Sequence, residues 1–198
     1  MDKTLSYYNS NAERFVQDTG RVDFTDIQDR FLERLPAGGR ILDFGCGSGR
    51  DSAYFFHRGF CVDAVDGSEA LCRLAKKHTG INVRRMLFSE VDAWEAYDGI
   101  WACASILHLP SAELKAVIWK MVRALKKVGW LYTSFKYGEF EGLRSERYFK
   151  DFTEQAALVF FEEVEGLAIR EMWLTGDVRP GRGDEKWLNL MLEKMNAD

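Results

Sequence analysis

Short apolar runs alternate along this chain with segments whose apolar residues recur every three to four positions. That alternation predicts most of the elements. A helix is expected over roughly Ser10 to Asp18. A second should start at Thr25, with Gln28 three residues on in a capping-box pattern. Its Ile27, Phe31, Leu32 and Leu35 share one face, and Pro36-Ala37-Gly38-Gly39 ends it. Beyond that point Arg40 to Phe44, Cys61 to Val65, Val83 to Phe88, Gly99 to Ala104 and Gly129 to Phe135 read as five strands. Helices fill the intervals: Asp51 to Arg58, a Ser68-capped helix closed by Gly80, and Ser111 to Leu125. After a helix near Thr153 to Glu163, Ala168 to Leu174 and Lys186 to Leu192 look like an antiparallel pair at one sheet edge.

Strands and helices alternating at this spacing mean βαβ units with right-handed crossovers. The expected fold is α/β. It is a doubly wound, mostly parallel seven-stranded sheet with an antiparallel edge strand and N-terminal helices. The 198 residues suit one domain. It would divide into an N-terminal helical lid over 1–36, a ligand-binding core over 40–135 and substrate-side loops with terminal strands over 136–198.

Composition narrows the function classes. At 46% hydrophobic and 29% charged the chain is ordinary globular material. Its net charge of −4 argues against a broad nucleic-acid face, so nucleic acid is not an expected partner. Its apolar stretches are too short to span a bilayer, and Met1 to Ser6 lacks the apolar core of a signal peptide. A cytoplasmic location and no membrane partner are the expectation. Cys46, Cys61, Cys72 and Cys103 form no CxxC pair and have no His at ligand spacing, so neither a metal site nor a disulfide framework is expected. A monomer or a homodimer fits equally.

The chemistry starts at the first strand-to-helix turn, where an open parallel sheet places its ligands. Gly45, Gly47 and Gly49 remove side chains there, so a ligand can approach the backbone. Their G-x-G-x-G spacing differs from the G-x-G-x-x-G dinucleotide fingerprint. Asp66 ends the second strand, 17 residues after Gly49, where a carboxylate can accept ribose hydroxyls.

The run from Ile41 to Ser52, Ile-Leu-Asp-Phe-Gly-Cys-Gly-Ser-Gly-Arg-Asp-Ser, resembles motif I of class I S-adenosylmethionine (SAM)-dependent methyltransferases. Val62 to Ser68 resembles their motif II, and Tyr97 to Pro110 is similar to their fourth-strand motif. The resemblance covers Ser6 to Phe135 and points to the small bacterial, tellurite-resistance-like group. It implies a Rossmann-like fold, SAM as cofactor and S-adenosylhomocysteine as product. It further implies that Asp43, Gly45, Cys46 and Gly47 line the amino-acid portion of SAM, that Asp66 binds its ribose, and that Gly67 and Ser68 flank the adenine. Phe88 and Ser89 match the region that contacts the adenine amine, although the usual aspartate is absent. Ser105 and Ile106 would lie beside the methionine part. Tyr7, Tyr8 and Phe15 belong to a segment that folds over the cofactor in similar enzymes.

Methyl transfer needs a general base only when the acceptor is protonated. His108, after the fourth strand, and Tyr137 are the candidate catalytic residues. The segment after the fifth strand carries Lys136, Tyr137, Arg144, Arg147 and Tyr148, and the tail loop 176–184 adds Arg179 and Arg182. If the segments meet, Lys136, Arg144, Arg179 and Arg182 would form a cationic pocket for an anionic acceptor. The motif Asn-Pro-Pro-Tyr does not follow the fourth strand, and no Pro-Cys nucleophile appears. The expected activity is methyl transfer to a small molecule, anionic or a soft nucleophile. The rivals are an RNA- or protein-modifying methyltransferase, a SAM-binding module without transfer activity, and a nicotinamide oxidoreductase.

Overall fold

Period-two apolar alternation in the strands builds the two faces of the sheet. Ile41, Trp101, Tyr132 and Met191 pack on one side with Phe31 and Phe55, while Leu42, Ile100, Leu131, Leu190 and Leu192 pack on the other. A strand buried on both faces reads as a near-continuous apolar run, as Arg40 to Phe44 does. The computed structural model describes residues 3–179 and 181–195.

The helices are α1 (Lys3–Ser10), α2 (Ala12–Thr19), α3 (Thr25–Leu32), α4 (Arg50–His57), α5 (Glu69–Thr79), α6 (Ser111–Ala124) and α7 (Glu154–Glu162). The strands are β1 (Arg40–Phe44), β2 (Cys61–Asp66), β3 (Val83–Arg85), β4 (Tyr97–Ala102), β5 (Leu125–Lys136), β6 (Glu141–Arg144), β7 (Arg147–Lys150), β8 (Leu167–Gly176) and β9 (Lys186–Lys194). Seven strands form one sheet in the order β3-β2-β1-β4-β5-β9-β8, and β6 with β7 makes a separate hairpin. Strands β1 to β5 pair in parallel, whereas β9 runs antiparallel between β5 and β8. The fold is therefore the expected mixed α/β Rossmann-like sheet. Strand order switches between β1 and β4, which aims the loops after both strands into one crevice.

Two expectations need correction and one helix was not foreseen. The helix expected over Ser10 to Asp18 is α2, and the unforeseen α1 precedes it across Asn11, whose Nδ2 donates to the Tyr7 carbonyl at 2.9 Å. Helix α1 buries only Thr4, so it carries no apolar stripe to read. The capping box at Thr25 and Gln28 does not form. Asp23 Oδ1 instead accepts both the Thr25 N–H and its hydroxyl, and Gln28 is buried, donating to Asp51 at 2.6 Å. Strand β3 stops at Arg85, and Phe88–Glu90 is a short 3-10 turn rather than strand.

Candidate functional site

The loop after β1 is shaped by backbone rather than side chains. Val65 O accepts the N–H groups of both Gly45 and Cys46 at 2.9 Å. Gly45 has φ +89°, and a Cβ there would stand 2.5 Å from Ser105 Cβ. Only glycine fits, because both the conformation and the space exclude a side chain. The neighbouring wall comes from the end of β4. Ala104 adopts φ +48°, uncommon for a non-glycine residue and concentrated at functional sites. Its N–H is held by Ser134 Oγ at 2.9 Å, and the turn lets Ser105 Oγ donate to the Phe44 carbonyl at 2.6 Å.

Asp66 stands at the carboxyl end of β2. Its Oδ2 accepts the Gly47 N–H at 2.9 Å and its Oδ1 accepts the Ser68 N–H at 2.8 Å. Burial pushes its carboxyl up, opposed by those two backbone donors. A carboxylate has about four lone-pair sites, so about two remain for a diol.

These loops border a cavity of about 480 Å³, within the range of small-molecule sites. Its glycine-loop end, called the donor end below, is walled by Gly45, Gly47, Asp66, Met86 and Phe88. Gly67, Cys46, Ser89, Ser105 and Tyr8 also face it. Phe88 packs against Phe44 at a centroid distance of 4.9 Å. Helix α1 crosses this end: Asn9 Oδ1 accepts from Ser68 Oγ and from the Ala70 N–H. Three expected contact residues stand behind the wall. Asp43 is 2% exposed and accepts the Ser52 hydroxyl at 2.5 Å, with burial first and Asp51 second raising its carboxyl. Ser68 caps α5, and Ile106 is fully buried.

Phe15 stands against Gly47, and the far end is lined by Tyr8, Phe149, Trp187 and Asn189 with His108 and Arg147. The β6–β7 hairpin brings the last two together. His108 Nδ1 lies 2.6 Å from the Tyr148 carbonyl, which can only accept, so Nδ1 carries the proton. Nε2 then accepts from Tyr8 Oη at 2.7 Å. Burial raises the Tyr8 phenol, partly offset by Arg147, so the hydroxyl keeps its proton. His108 thus lines the cavity itself, hydrogen-bonded there to Tyr8.

The expected cationic pocket is partly neutralised, its three lining cations sharing the carboxylates of Glu185 and Asp177. Lys136 pairs with Glu185, Arg179 with Asp177, and Arg182 with Glu185 at 3.7 Å. These three line the cavity. Arg144 does not, because it turns to Asp151 at 2.8 Å. Tyr137 also lies away from the lining: its backbone bridges to Phe152 and its hydroxyl goes to Glu154 at the start of α7. Cys103, Ser134 and Asn189 were not foreseen as lining. Cys103 follows β4 immediately, and burial pushes its thiol up to about 12, which keeps it protonated. The one legible signal was Asn189, a polar residue between Leu188 and Leu190 in an apolar strand.

Among the described residues no group of three or more His, Cys, Asp or Glu is arranged to hold a metal, and no helix is long and apolar enough to cross a membrane. Residues 41–129 match the methyltransferase-domain family. A Bacillus subtilis protein that carries a provisional methyltransferase name, YqeM, is 32% identical over 117 residues, 53% of this chain and 47% of its own. The methyltransferase GfsG of Streptomyces halstedii is 29% identical over 117 residues, 53% of this chain and 41% of its own. The matches span about half the length of these curated relatives. The crystal structure of Burkholderia thailandensis 1,6-didemethyltoxoflavin-N1-methyltransferase, solved with its acceptor and S-adenosylhomocysteine, superimposes with a TM-score of 0.78 at 21% identity, covering 97% of this chain and 87% of that one. The chain has the Rossmann-like fold of the class I methyltransferases, and its glycine loop, Asp66 and β4 all lie within the segment that matches the methyltransferase-domain family.

Proposed function

We propose that this protein is a SAM-dependent methyltransferase acting in the cytoplasm on a small molecule. The observation that carries this reading is the Asp66 carboxylate: two backbone donors fix it at a cavity whose glycine floor leaves room for a ligand. The residues present fit a nucleoside donor. Asp66 would hold the ribose, with Gly67 beside the base. Met86, Leu87, Phe88 and Ser89 would flank the adenine. Gly45, Cys46, Gly47, Ser105 and Tyr8 would surround the amino-acid portion. Asp43, Ser68 and Ile106 would brace that wall from behind.

Bound SAM supplies a methyl group on a positively charged sulfur, which departs as a neutral thioether once the acceptor's lone pair bonds to the methyl carbon. The chain's share is to position the acceptor and exclude water. Residues 3–19 would serve as the lid, since α1 is pinned to Ser68 and Thr4 Oγ1 accepts the Tyr148 N–H at 3.1 Å. For a protonated acceptor, Tyr8 would take the proton while passing its own to His108 Nε2. Aromatic walls at the far end suit a flat acceptor, in keeping with the heteroaromatic compound bound by the Burkholderia relative. The tellurite-resistance-like resemblance keeps soft nucleophiles as a narrower option.

Calorimetry with SAM, S-adenosylhomocysteine and NAD tests the reading. Binding of both SAM compounds at micromolar dissociation constants is expected. Binding of NAD with neither SAM compound would sink it.

A further inference from the structure

Arg147 stands apart from the other cations of the far end. Lys136, Arg179 and Arg182 each have a carboxylate partner within 4 Å. Among the described residues Arg147 has none. Its Nη1 reaches Tyr8 Oη at 3.5 Å, the outer limit of a hydrogen bond, and its Nε is buried with no partner. What holds the guanidinium is aromatic: it lies 4.4 Å from the Tyr7 ring centroid, 5.0 Å from Phe149 and 5.8 Å from Tyr8. Three rings hold the guanidinium without cancelling its charge. A half-buried guanidinium whose Nε–H finds no partner carries a cost, and its fork is the group best shaped to take a planar anion in two parallel hydrogen bonds.

The hairpin supports this assignment. Its two-residue turn, Ser145 at φ +48° and Glu146 at φ +66°, is left-handed at both positions, which costs energy for non-glycine residues. The turn sets β7 so that Arg147 and the Tyr148 carbonyl fall on either side of the Tyr8–His108 pair. The same strand therefore supplies the charge and orients the proton acceptor.

We infer that Arg147 is the anion-binding residue of the acceptor site, and that the acceptor is a flat aromatic or heteroaromatic acid whose carboxylate, or equivalent anionic edge, pairs with its guanidinium. This rests on the methyltransferase reading and narrows it from a small molecule to an acid of defined shape. The charge recognition passes from the paired Lys136, Arg179 and Arg182 to Arg147.

The SAM carboxylate is the other planar anion within this chemistry, so the test separates the two. Calorimetry first measures S-adenosylhomocysteine and 5′-methylthioadenosine, which lacks the amino-acid portion. Failure of both to bind would sink the donor reading, and the acceptor assignment, which rests on it, would fall with it. With S-adenosylhomocysteine saturating, benzoate and its uncharged analogue benzamide are then titrated into the unaltered protein. Benzoate should bind at least about tenfold more tightly. Equal binding, or none by benzoate at 10 mM, overturns the inference without any variant. Arg147→Gln should abolish the preference and leave S-adenosylhomocysteine within about twofold, while Arg147→Lys should keep part of it. A tenfold loss of S-adenosylhomocysteine in Arg147→Gln, with methylthioadenosine unchanged, would reassign Arg147 to the donor and also overturn the inference.

Discussion

The two ends of the cavity are built from different materials. The donor end is mostly backbone: glycines with no room for a side chain, N–H groups aimed at one carboxylate, and a strained turn at Ala104. Its parts come from the ends of β1, β2 and β4, strands that are neighbours in the sheet, and fall between Gly45 and Ser105 in the sequence. The far end is mostly side chain, gathered from α1, the hairpin and the β8–β9 loop, with most of its charges cancelled locally. A backbone-built site tolerates little change and serves one ligand. A side-chain site on loops can be re-lined without disturbing the sheet, which is how one scaffold accommodates different acceptors.

The contrast breaks first at Gly45. A side chain there meets Ser105 Cβ in a left-handed backbone conformation. Gly45→Val should lower S-adenosylhomocysteine affinity more than about 100-fold, since both strain and overlap oppose the bound geometry. Calorimetry measures it; affinity within tenfold would mean the ligand does not approach this loop. Asp66→Ala should come next, at about 10- to 100-fold, the worth of hydrogen bonds to a charged acceptor. An unchanged dissociation constant would refute the ribose role.

The same contrast explains what the sequence made legible. Glycines, an acidic strand end and period-two runs are local signals, so the mostly parallel sheet and the glycine loop facing Asp66 could be read directly. The β6–β7 hairpin could not. Its Ser145-Glu146 turn lacks the Gly or Asn that normally marks left-handed positions. Arg144 and Arg147 sit in the same run and look alike in sequence. Only the fold shows that Arg144 turns to Asp151 while Arg147 stays unpaired under Tyr7. Tyr137 and Lys136 are adjacent and project to opposite sides of an extended strand, which takes Tyr137 to Glu154 and leaves Lys136 at the cavity.

A pH titration sharpens the claim that the β8–β9 loop is internally neutralised. Burial opposes ionisation of Asp177, but Arg179 and the Trp187 indole N–H outweigh it and hold the carboxyl at about 2. A depressed folded-state value means the contribution is complete above the unfolded value near 3.8 and is lost as pH falls through about 2. The Trp187 Nε1–H resonance should therefore hold its position from pH 7 to about 4 and move with a midpoint near 2. A midpoint near 4 would show that Asp177 is not engaged.

The smallest expected effect is the most discriminating one for the two kinds of charge. Lys136 and Glu185 pair at the cavity margin, so their joint field on a ligand is that of a dipole rather than a cation. Removing both with Lys136→Met and Glu185→Gln leaves the net charge unchanged and the side-chain volumes close, and Arg182, 3.7 Å from Glu185 and 43% exposed, is screened by solvent. Benzoate affinity in the presence of S-adenosylhomocysteine should then change less than about twofold, because a cancelled pair contributes little beyond its own geometry. Lys136→Met alone should weaken benzoate more than the double variant does, since it exposes the Glu185 carboxylate to an anionic ligand. If the double variant instead lost as much affinity as Arg147→Gln, the lysine would be acting as a free cation, and the far end would be a diffuse basic pocket rather than a single guanidinium held between rings.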